Sequence, residues 1–179
     1  DHVLRDSSVR RVALSDFRGK PLLINFVYTS CSSVCPTIVQ TLDAAVGAAQ
    51  QALGKGSFAV VTIGFDTRND TPERMRAFAR AQGIDRPGWR FLSGDAGTVG
   101  ALAEQVGFVV YPAPQGFDHM TLTTVVDQEG RIYRQIYGEL NSASIGEPLA
   151  QLLRNAPVPQ QFRLEDLIDR VRILCTDFD

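Results

Sequence analysis

A chain of 179 residues, of which 44% are hydrophobic and 21% charged, has the length and composition of one globular domain with a full-sized core. Its formal net charge of -2 and its scattered Lys and Arg residues argue against nucleic-acid binding and against a polybasic membrane patch. No apolar run reaches 18 residues, so membrane attachment is expected only through an N-terminal anchor absent from this sequence.

The first half of the chain predicts alternating strands and helices. The continuous apolar run 21–28 is rich in β-branched and aromatic residues, as in a central strand buried on both faces. Thr71 is a residue type favoured at the N-cap of a helix, and Pro72 one favoured at the first helical position. The elements predicted in this half are strands over 11–14, 21–28 and 58–63 and helices over 35–53 and 71–81. His2 lies in a segment expected to fray.

The second half predicts an antiparallel pair and a closing helix. Two extended runs flank a four-residue loop, Asp127–Gly130, which is typical of a β-hairpin near residues 121–136. The elements predicted in this half are strands over 90–92, 121–126 and 131–136 and helices over 96–105 and 144–154. Residues 1–156 are therefore expected to form one domain, and residues 157–179 a helical tail after a proline break.

This order of elements predicts an α/β protein with a thioredoxin-like fold, in which helices flank one mixed central sheet. Cys31 and Cys35 stand at the carboxyl end of the central strand, where the chain turns into the first helix. Open α/β sheets place their sites at this end of their strands. The two cysteines are therefore the first candidates for function.

The segment TSCSSVCP, residues 29–36, allows redox chemistry, metal binding or both. A helix that begins at Cys35 would offer it unpaired backbone N–H groups, which should lower a thiol pKa. If the turn is helical, Cys31 and Cys35 are i and i+4 neighbours on one face, within reach of a disulfide or of a shared ion. The alternative is a pair of inert, buried cysteines.

His119 is the one well-placed imidazole in the sequence, since it directly precedes the strand predicted over 121–126. Two thiolates and one imidazole suit Cu(I) and can also accept Cu(II). Structural zinc would require a fourth ligand, and none stands in an evident position. Asp118 could orient the imidazole or cap the turn.

Several separated segments resemble the Sco/SenC family of copper-binding, thioredoxin-like proteins. The resemblance extends from about Val3 to Leu153 and rests on FVYTSCSSVCP (26–36), GFDTRNDTPE (64–73), DH (118–119), VVDQEG (125–130) and YG (137–138). It implies that Cys31 and Cys35 are copper thiolates as well as a redox pair, and that His119 is the third ligand. One departure is Ser32, where family members commonly have proline.

The resemblance further implies a copper chaperone that assists assembly of the binuclear copper centre of cytochrome c oxidase. Its partner would be subunit II of that enzyme or another copper chaperone. The implied address is the bacterial periplasm, with the protein anchored to the membrane, or alternatively the mitochondrial intermembrane space. Asp66 and Asp70 match the family's acidic loop; they are expected to be turn formers with solvated charges, or else to contact a partner or a second metal.

Two other functions fit parts of the sequence. A thiol-disulfide oxidoreductase that reduces a partner's cysteines would need only Cys31 and Cys35. A peroxiredoxin is weakly suggested by SVCPT, residues 33–37, but Tyr28 stands where its usual proline would be. Cys175 is expected to pack in the tail or be exposed there, or alternatively to join copper chemistry or an intermolecular bond.

Overall fold

The computed structural model describes residues 2–31, 34–114, 116–138 and 140–154. The predicted tail over 157–179, with Cys175, and the loop residue Ser32 lie outside the described residues, so the predictions made for them stay predictions. Among the described helices, none combines the length and the apolar character needed to cross a membrane.

The elements closely follow the predicted order. The strands of the described residues are β1 (Val3–Asp6), β2 (Arg11–Ala13), β3 (Leu22–Val27), β4 (Ala59–Gly64), β5 (Trp89–Ser93), β6 (Val110–Ala113), β7 (Gly116–His119), β8 (Leu122–Val126) and β9 (Ile132–Tyr137). The helices are α1 (Val34–Leu53), α2 (Pro72–Ala81), α3 (Ala96–Val106) and α4 (Ser142–Leu153), and a 3-10 turn covers Leu14–Phe17. Thr71 caps α2 and Asp95 caps α3 through their side chains.

Seven of these strands form one mixed sheet in the order β2-β1-β5-β4-β3-β8-β9. Strands β3, β4 and β5 are parallel, and the outer strands pair antiparallel to their neighbours. The predicted mixed sheet and the hairpin of β8 and β9 are thus confirmed. The prediction of a fraying N-terminus is wrong, because β1 pairs with β5 inside the sheet and His2 Nε2 hydrogen-bonds Gln105 Oε1 at 2.8 Å.

Helices cover both faces of the sheet, as predicted. Alternate residues of β3 point to opposite faces, so that Leu23 and Val27 enter one core while Ile24 and Phe26 enter the other. The first core is closed by α1, α2 and α4, and the second by α3. All six residues of β3 are buried, which explains the uninterrupted apolar run in the sequence.

A separate two-stranded sheet, made of β6 and β7, was not predicted. Its register pairs Val110 with His119 and Tyr111 with Asp118. We call these two strands the histidine hairpin. The segment that joins β3 to α1, residues 28–35, is called the cysteine loop.

Candidate metal centre

The cysteine loop leaves the sheet in a tight turn, in which the backbone N–H of Cys31 donates to the carbonyl of Tyr28 at 3.2 Å. Helix α1 begins at Val34, so Cys31 lies just outside the helix and Cys35 in its first turn. The backbone N–H of Cys35 donates to Cys31 Sγ at 3.4 Å. The Cys31 sulfur thus satisfies one of the N–H groups that a helix start leaves unpaired.

The two thiols, both reduced, differ in their surroundings. Cys35 is fully buried in the core beside α1, whereas Cys31 is half-buried and packs against that core. Burial raises the pKa of Cys35 to about 12, with a contribution from the neighbouring Cys31 and Asp70, although a hydrogen bond from the Tyr28 backbone opposes the shift. The expectation of a lowered thiol pKa is therefore wrong for Cys35, because desolvation outweighs the effect of the helix start.

Asp70 ties the cysteine loop to the turn between β4 and α2. Its carboxylate accepts hydrogen bonds from the backbone N–H and the hydroxyl of Thr29, at 2.8 and 2.7 Å, and from the backbone N–H of Asp66 at 2.9 Å. Asp70 is only 2% exposed, and this burial raises its pKa against the effect of its hydrogen bonds. The expectation of a solvated charge is wrong for Asp70.

Asp66 forms a turn, which is one of the roles predicted for it. Its carbonyl accepts from the backbone N–H groups of Asn69 and Asp70, and its carboxylate accepts from the Asn69 side chain at 2.8 Å. The side chain is half-buried. This turn holds Asp70 where it can reach Thr29.

His119 is the last residue of β7, and its ring packs into an aromatic cluster. The ring centroid lies 6.1 Å from that of Tyr28, 5.3 Å from that of Phe65 and 5.6 Å from that of Phe108. The Nδ1 atom of His119 is buried and makes no hydrogen bond within the described residues. Asp118 is exposed, since neighbouring side chains of a strand point to opposite faces.

Tyr28 was not singled out in the sequence, yet it contacts all three predicted ligands. Its phenol hydrogen-bonds the Cys31 side chain, its backbone N–H approaches the Cys35 sulfur, and its ring meets the His119 ring edge-on. Burial, with the nearby sulfurs, raises the pKa of Tyr28 to about 12, so the phenol stays protonated at neutral pH. A tyrosine that ends a buried strand usually hydrogen-bonds through its hydroxyl, and that signal was present in the sequence.

The three predicted ligands are not yet assembled around one point. Within the described ranges, no three His, Cys, Asp or Glu side chains converge closely enough to hold a metal ion. Cys31 and Cys35 are adjacent, and the His119 ring lies 6.1 Å from the Tyr28 ring, centroid to centroid. The structure therefore presents a reduced dithiol and a half-buried imidazole that share Tyr28 as a neighbour.

Comparison with known proteins gives one consistent result. A family model described as SCO1/SenC matches residues 1–154. Among curated proteins, the SCO1 protein homolog of Bacillus subtilis is 24% identical over 139 residues, which make up 74% of this chain and 70% of that protein.

Solved structures agree with the observed fold. Bradyrhizobium japonicum ScoI, solved with copper bound, is 25% identical and has a TM-score of 0.68, over 86% of this chain and 96% of that chain. BsSco, described as a cytochrome c oxidase assembly protein of the Sco family with a disulfide switch, is 19% identical. Its TM-score is 0.70, over 84% of this chain and 90% of that chain. At that identity the likeness concerns the fold, which is the thioredoxin-like fold predicted.

Proposed function

The chain belongs to the SCO1/SenC family, and on this premise we propose that it is a copper chaperone whose ligands are Cys31, Cys35 and His119. Copper is its cargo, received and handed on by exchange of ligands. The recipient is subunit II of cytochrome c oxidase, at its binuclear copper centre, or another copper chaperone upstream of that centre. The cysteines must be reduced before the metal binds, since an oxidised pair has no thiolate to offer.

The observation that carries this proposal is the buried His119 Nδ1 atom without a hydrogen-bond partner in the described residues. A buried polar atom left unsatisfied costs about 1–3 kcal/mol, so it calls for an explanation. A metal ion would use its lone pair, provided that the proton sits on the other ring nitrogen. With the two sulfurs, this nitrogen completes a soft donor set that favours Cu(I) and accepts Cu(II).

Loading the site with copper involves protons and a rearrangement. The Cys35 thiol is protonated at neutral pH, because its pKa is raised to about 12 by burial. Copper binding must therefore displace this proton, and the apparent affinity should rise with pH. Because the three ligands do not converge in the described structure, the histidine hairpin or the cysteine loop must move if one ion is to be held by all three.

The acidic residues have supporting roles in this proposal. Asp70 is a clamp on the cysteine loop, since its carboxylate is occupied by Thr29 and Asp66. Asp118 is exposed beside His119 and is proposed to contact the partner. Asp66 is half-buried in a turn, so only the exposed part of this residue could contact a partner.

The proposed address is the bacterial periplasm, with an N-terminal membrane anchor, and the alternative is the mitochondrial intermembrane space. Support comes from the family relationship, since assembly of the oxidase copper centre takes place in these compartments. Fractionation of cells that express the full-length protein tests the address. Recovery in the cytoplasmic fraction would contradict it.

Anaerobic titration of the reduced protein with Cu(I), in competition with a chromophoric chelator, tests the ligands. Cys31→Ser and Cys35→Ser should each abolish stoichiometric binding. His119→Ala should lower the affinity by about 100-fold or more, since even residues that only orient a ligand are worth 10- to 100-fold. Cys175→Ser is the matched control, because it removes a thiol that is not among the proposed ligands. Binding that survives loss of both Cys31 and Cys35 would contradict the proposal.

A thiol-disulfide oxidoreductase is the second candidate, favoured by the contact between the Cys35 N–H and Cys31 Sγ. Disulfide exchange needs the two sulfurs and a reducible partner, but not the imidazole. His119→Ala separates the two functions, because it should weaken copper binding and leave reduction of a model disulfide largely unchanged. Equal loss of both activities would contradict this separation.

A further inference from the structure

Tyr28 is the one residue described above that contacts Cys31, Cys35 and His119 together. Its backbone makes two of these connections: the carbonyl accepts from the Cys31 N–H at 3.2 Å, and the N–H approaches the Cys35 sulfur. Its ring makes the third, with centroids of the Tyr28 and His119 rings 6.1 Å apart at an interplanar angle of 84°. The side chain is nine-tenths buried, so these contacts are shielded from water.

The hydroxyl of Tyr28 joins the two halves of the site. Burial, followed by hydrogen bonding with the Cys31 side chain, raises the pKa of Tyr28, and hydrogen bonding with the backbone of Phe117, which belongs to β7 of the histidine hairpin, opposes the shift. The Phe117 ring also packs edge-on against the Tyr28 ring at 5.2 Å. One oxygen atom therefore lies between the strand that carries His119 and the sulfur of Cys31.

Gly116, the first residue of β7, leaves room for this hydroxyl. A Cβ atom added there would lie 2.9 Å from Tyr28 Oη and 3.4 Å from its ring. That separation is closer than van der Waals contact permits, and the positive φ of +129° at Gly116 also favours glycine. The absence of a side chain at Gly116 therefore lets the hairpin backbone approach the Tyr28 hydroxyl closely.

We propose that Tyr28 is a positioning residue that holds the histidine hairpin against the cysteine loop and sets the electron density on the Cys31 sulfur through its hydroxyl. The proposal rests on the function proposed above for its copper part. Its redox part concerns the dithiol alone. A hydrogen bond to a sulfur stabilises negative charge on it. The sulfur is then a weaker electron donor to a metal, and the reduced dithiol is favoured over the disulfide.

Tyr28→Phe tests the proposal, because it removes the hydroxyl and keeps the ring that contacts His119. Tyr133→Phe is the matched control: Tyr133 is also buried and donates from its hydroxyl to Gln151 Oε1 at 2.9 Å, outside the contacts described for the site. Two properties are measured in both variants: the equilibrium of the metal-free dithiol with a glutathione redox buffer, and the sulfur-to-Cu(II) charge-transfer band of the loaded protein.

Loss of the hydroxyl should lower the equilibrium constant for disulfide reduction about three- to tenfold, the value of one hydrogen bond. At 29.6 mV per tenfold change, this is about 15–30 mV toward more negative potential. The charge-transfer band should move to lower energy, because the Cys31 sulfur donates more strongly. Tyr133→Phe should change neither property, although it removes a buried hydrogen bond of the same kind.

The proposal is overturned if Tyr28→Phe leaves both properties as in the wild type, or if Tyr133→Phe shifts them equally. If the wild type binds no copper, the proposed function fails, and the redox equilibrium alone decides the role of Tyr28. If Tyr28→Phe does not fold cooperatively, Gly116→Ala replaces it, since its Cβ displaces the hydroxyl while every ligand is kept. An unchanged redox equilibrium in folded Gly116→Ala then overturns the proposal.

Discussion

The cysteine loop and the histidine hairpin carry the three proposed ligands, but the fold holds them in different ways. The loop leaves β3, which pairs with β4 over six residues and with β8 over four, and its Cys35, in the first turn of α1, lies in the core. The two strands of the hairpin pair only with each other in the described part of the sheet, and Val109 and Met120 beside it are 52% and 65% exposed. Cys35 is thus a member of the core, whereas the half-buried His119 reaches core residues through the ring contacts with Tyr28 and Phe108.

This difference predicts that the imidazole is displaced at a lower free-energy cost than the buried Cys35 thiol. Proteins open locally where few buried contacts hold a segment, and with lower free energies than global unfolding. A carrier that must release its metal gains from such an arrangement, because ligand exchange then requires movement of a small hairpin only. Four experiments test this difference between the cysteine loop and the histidine hairpin.

The largest effect is expected from the core that supports the cysteine loop. Leu42 of α1 is fully buried, so Leu42→Ala should lower the free energy of unfolding by about 2–5 kcal/mol. Val109→Ala, at the hairpin, should change it by less than about 0.5 kcal/mol, because Val109 is largely exposed. Urea denaturation measures both, and equal losses would contradict the division between global and local support.

Alkylation should distinguish the two cysteines by about 100-fold or more. Cys35 is fully buried and its pKa is raised to about 12, so at pH 8 very little of it is the reactive thiolate. Cys31 is half-buried and should react first with iodoacetamide. Peptide mass spectrometry over time follows both sites, with the urea-unfolded protein as the control in which they react alike. Faster labelling of Cys35 would show that the loop is not held by the core.

Phe117→Ala should loosen the hairpin alone. Phe117 packs against the rings of Tyr28 and Phe65, with centroids 5.2 and 5.3 Å away. Without this ring, amide protons of β6 and β7 should exchange about tenfold faster, the equivalent of about 1.4 kcal/mol, at the upper end for one aromatic pair. Amides of β3 and β4 should keep their rates, and acceleration there would mean that the two regions open together.

The smallest effect is expected far from both regions, at Asp127 in the turn between β8 and β9. Burial alone would raise the pKa of Asp127, but hydrogen bonds from Arg131 and from the Glu129 backbone lower it below its usual value. The ionised Asp127 carboxylate therefore stabilises the folded state above about pH 4, where the carboxyl of the unfolded chain is also ionised. This stabilisation is lost as the pH falls through the lower pKa that Asp127 has in the folded state.

Asp127→Asn should remove on the order of 1 kcal/mol of stability at pH 7. The difference from the wild type should shrink as the pH falls below about 4, the usual pKa of the unfolded carboxyl. Urea denaturation across this range measures it, and copper binding at pH 7 should be unchanged. A difference that grows in acid would contradict the direction of the pKa shift.

The sheet and helices were predictable because their signals are local. The buried run of β3, the apolar period of α1 and the caps Thr71 and Asp95 each act over a few residues, and each appears in the structure. The histidine hairpin was not predictable in this way. Its strands have four residues each and include Pro112, so they show neither a long apolar run nor a clear alternation.

The residue types at the site were also readable from the sequence. The sequence predicts sulfur and imidazole nitrogen as the donor atoms, from two cysteines at a strand-to-helix junction and one histidine before a strand. This prediction needs no tertiary structure, because the kind of donor atom depends only on the residue type. The family relationship to SCO1/SenC proteins agrees with the resemblance of the same motifs. That Cys31, Cys35 and His119 are the ligands stays a proposal, which the copper titration tests.

The sequence alone predicted the order of the four helices and of six of the nine described strands, the mixed sheet and the candidate donor residues. The burial of Cys35 and Asp70, which raises their pKa values, is evident in the tertiary structure alone, as are the contacts of Tyr28 with Cys31 and Phe117. The two kinds of feature differ because the interactions behind them act over different separations along the chain. Capping and periodicity act between near neighbours in the chain, whereas burial depends on side chains that come together from distant segments.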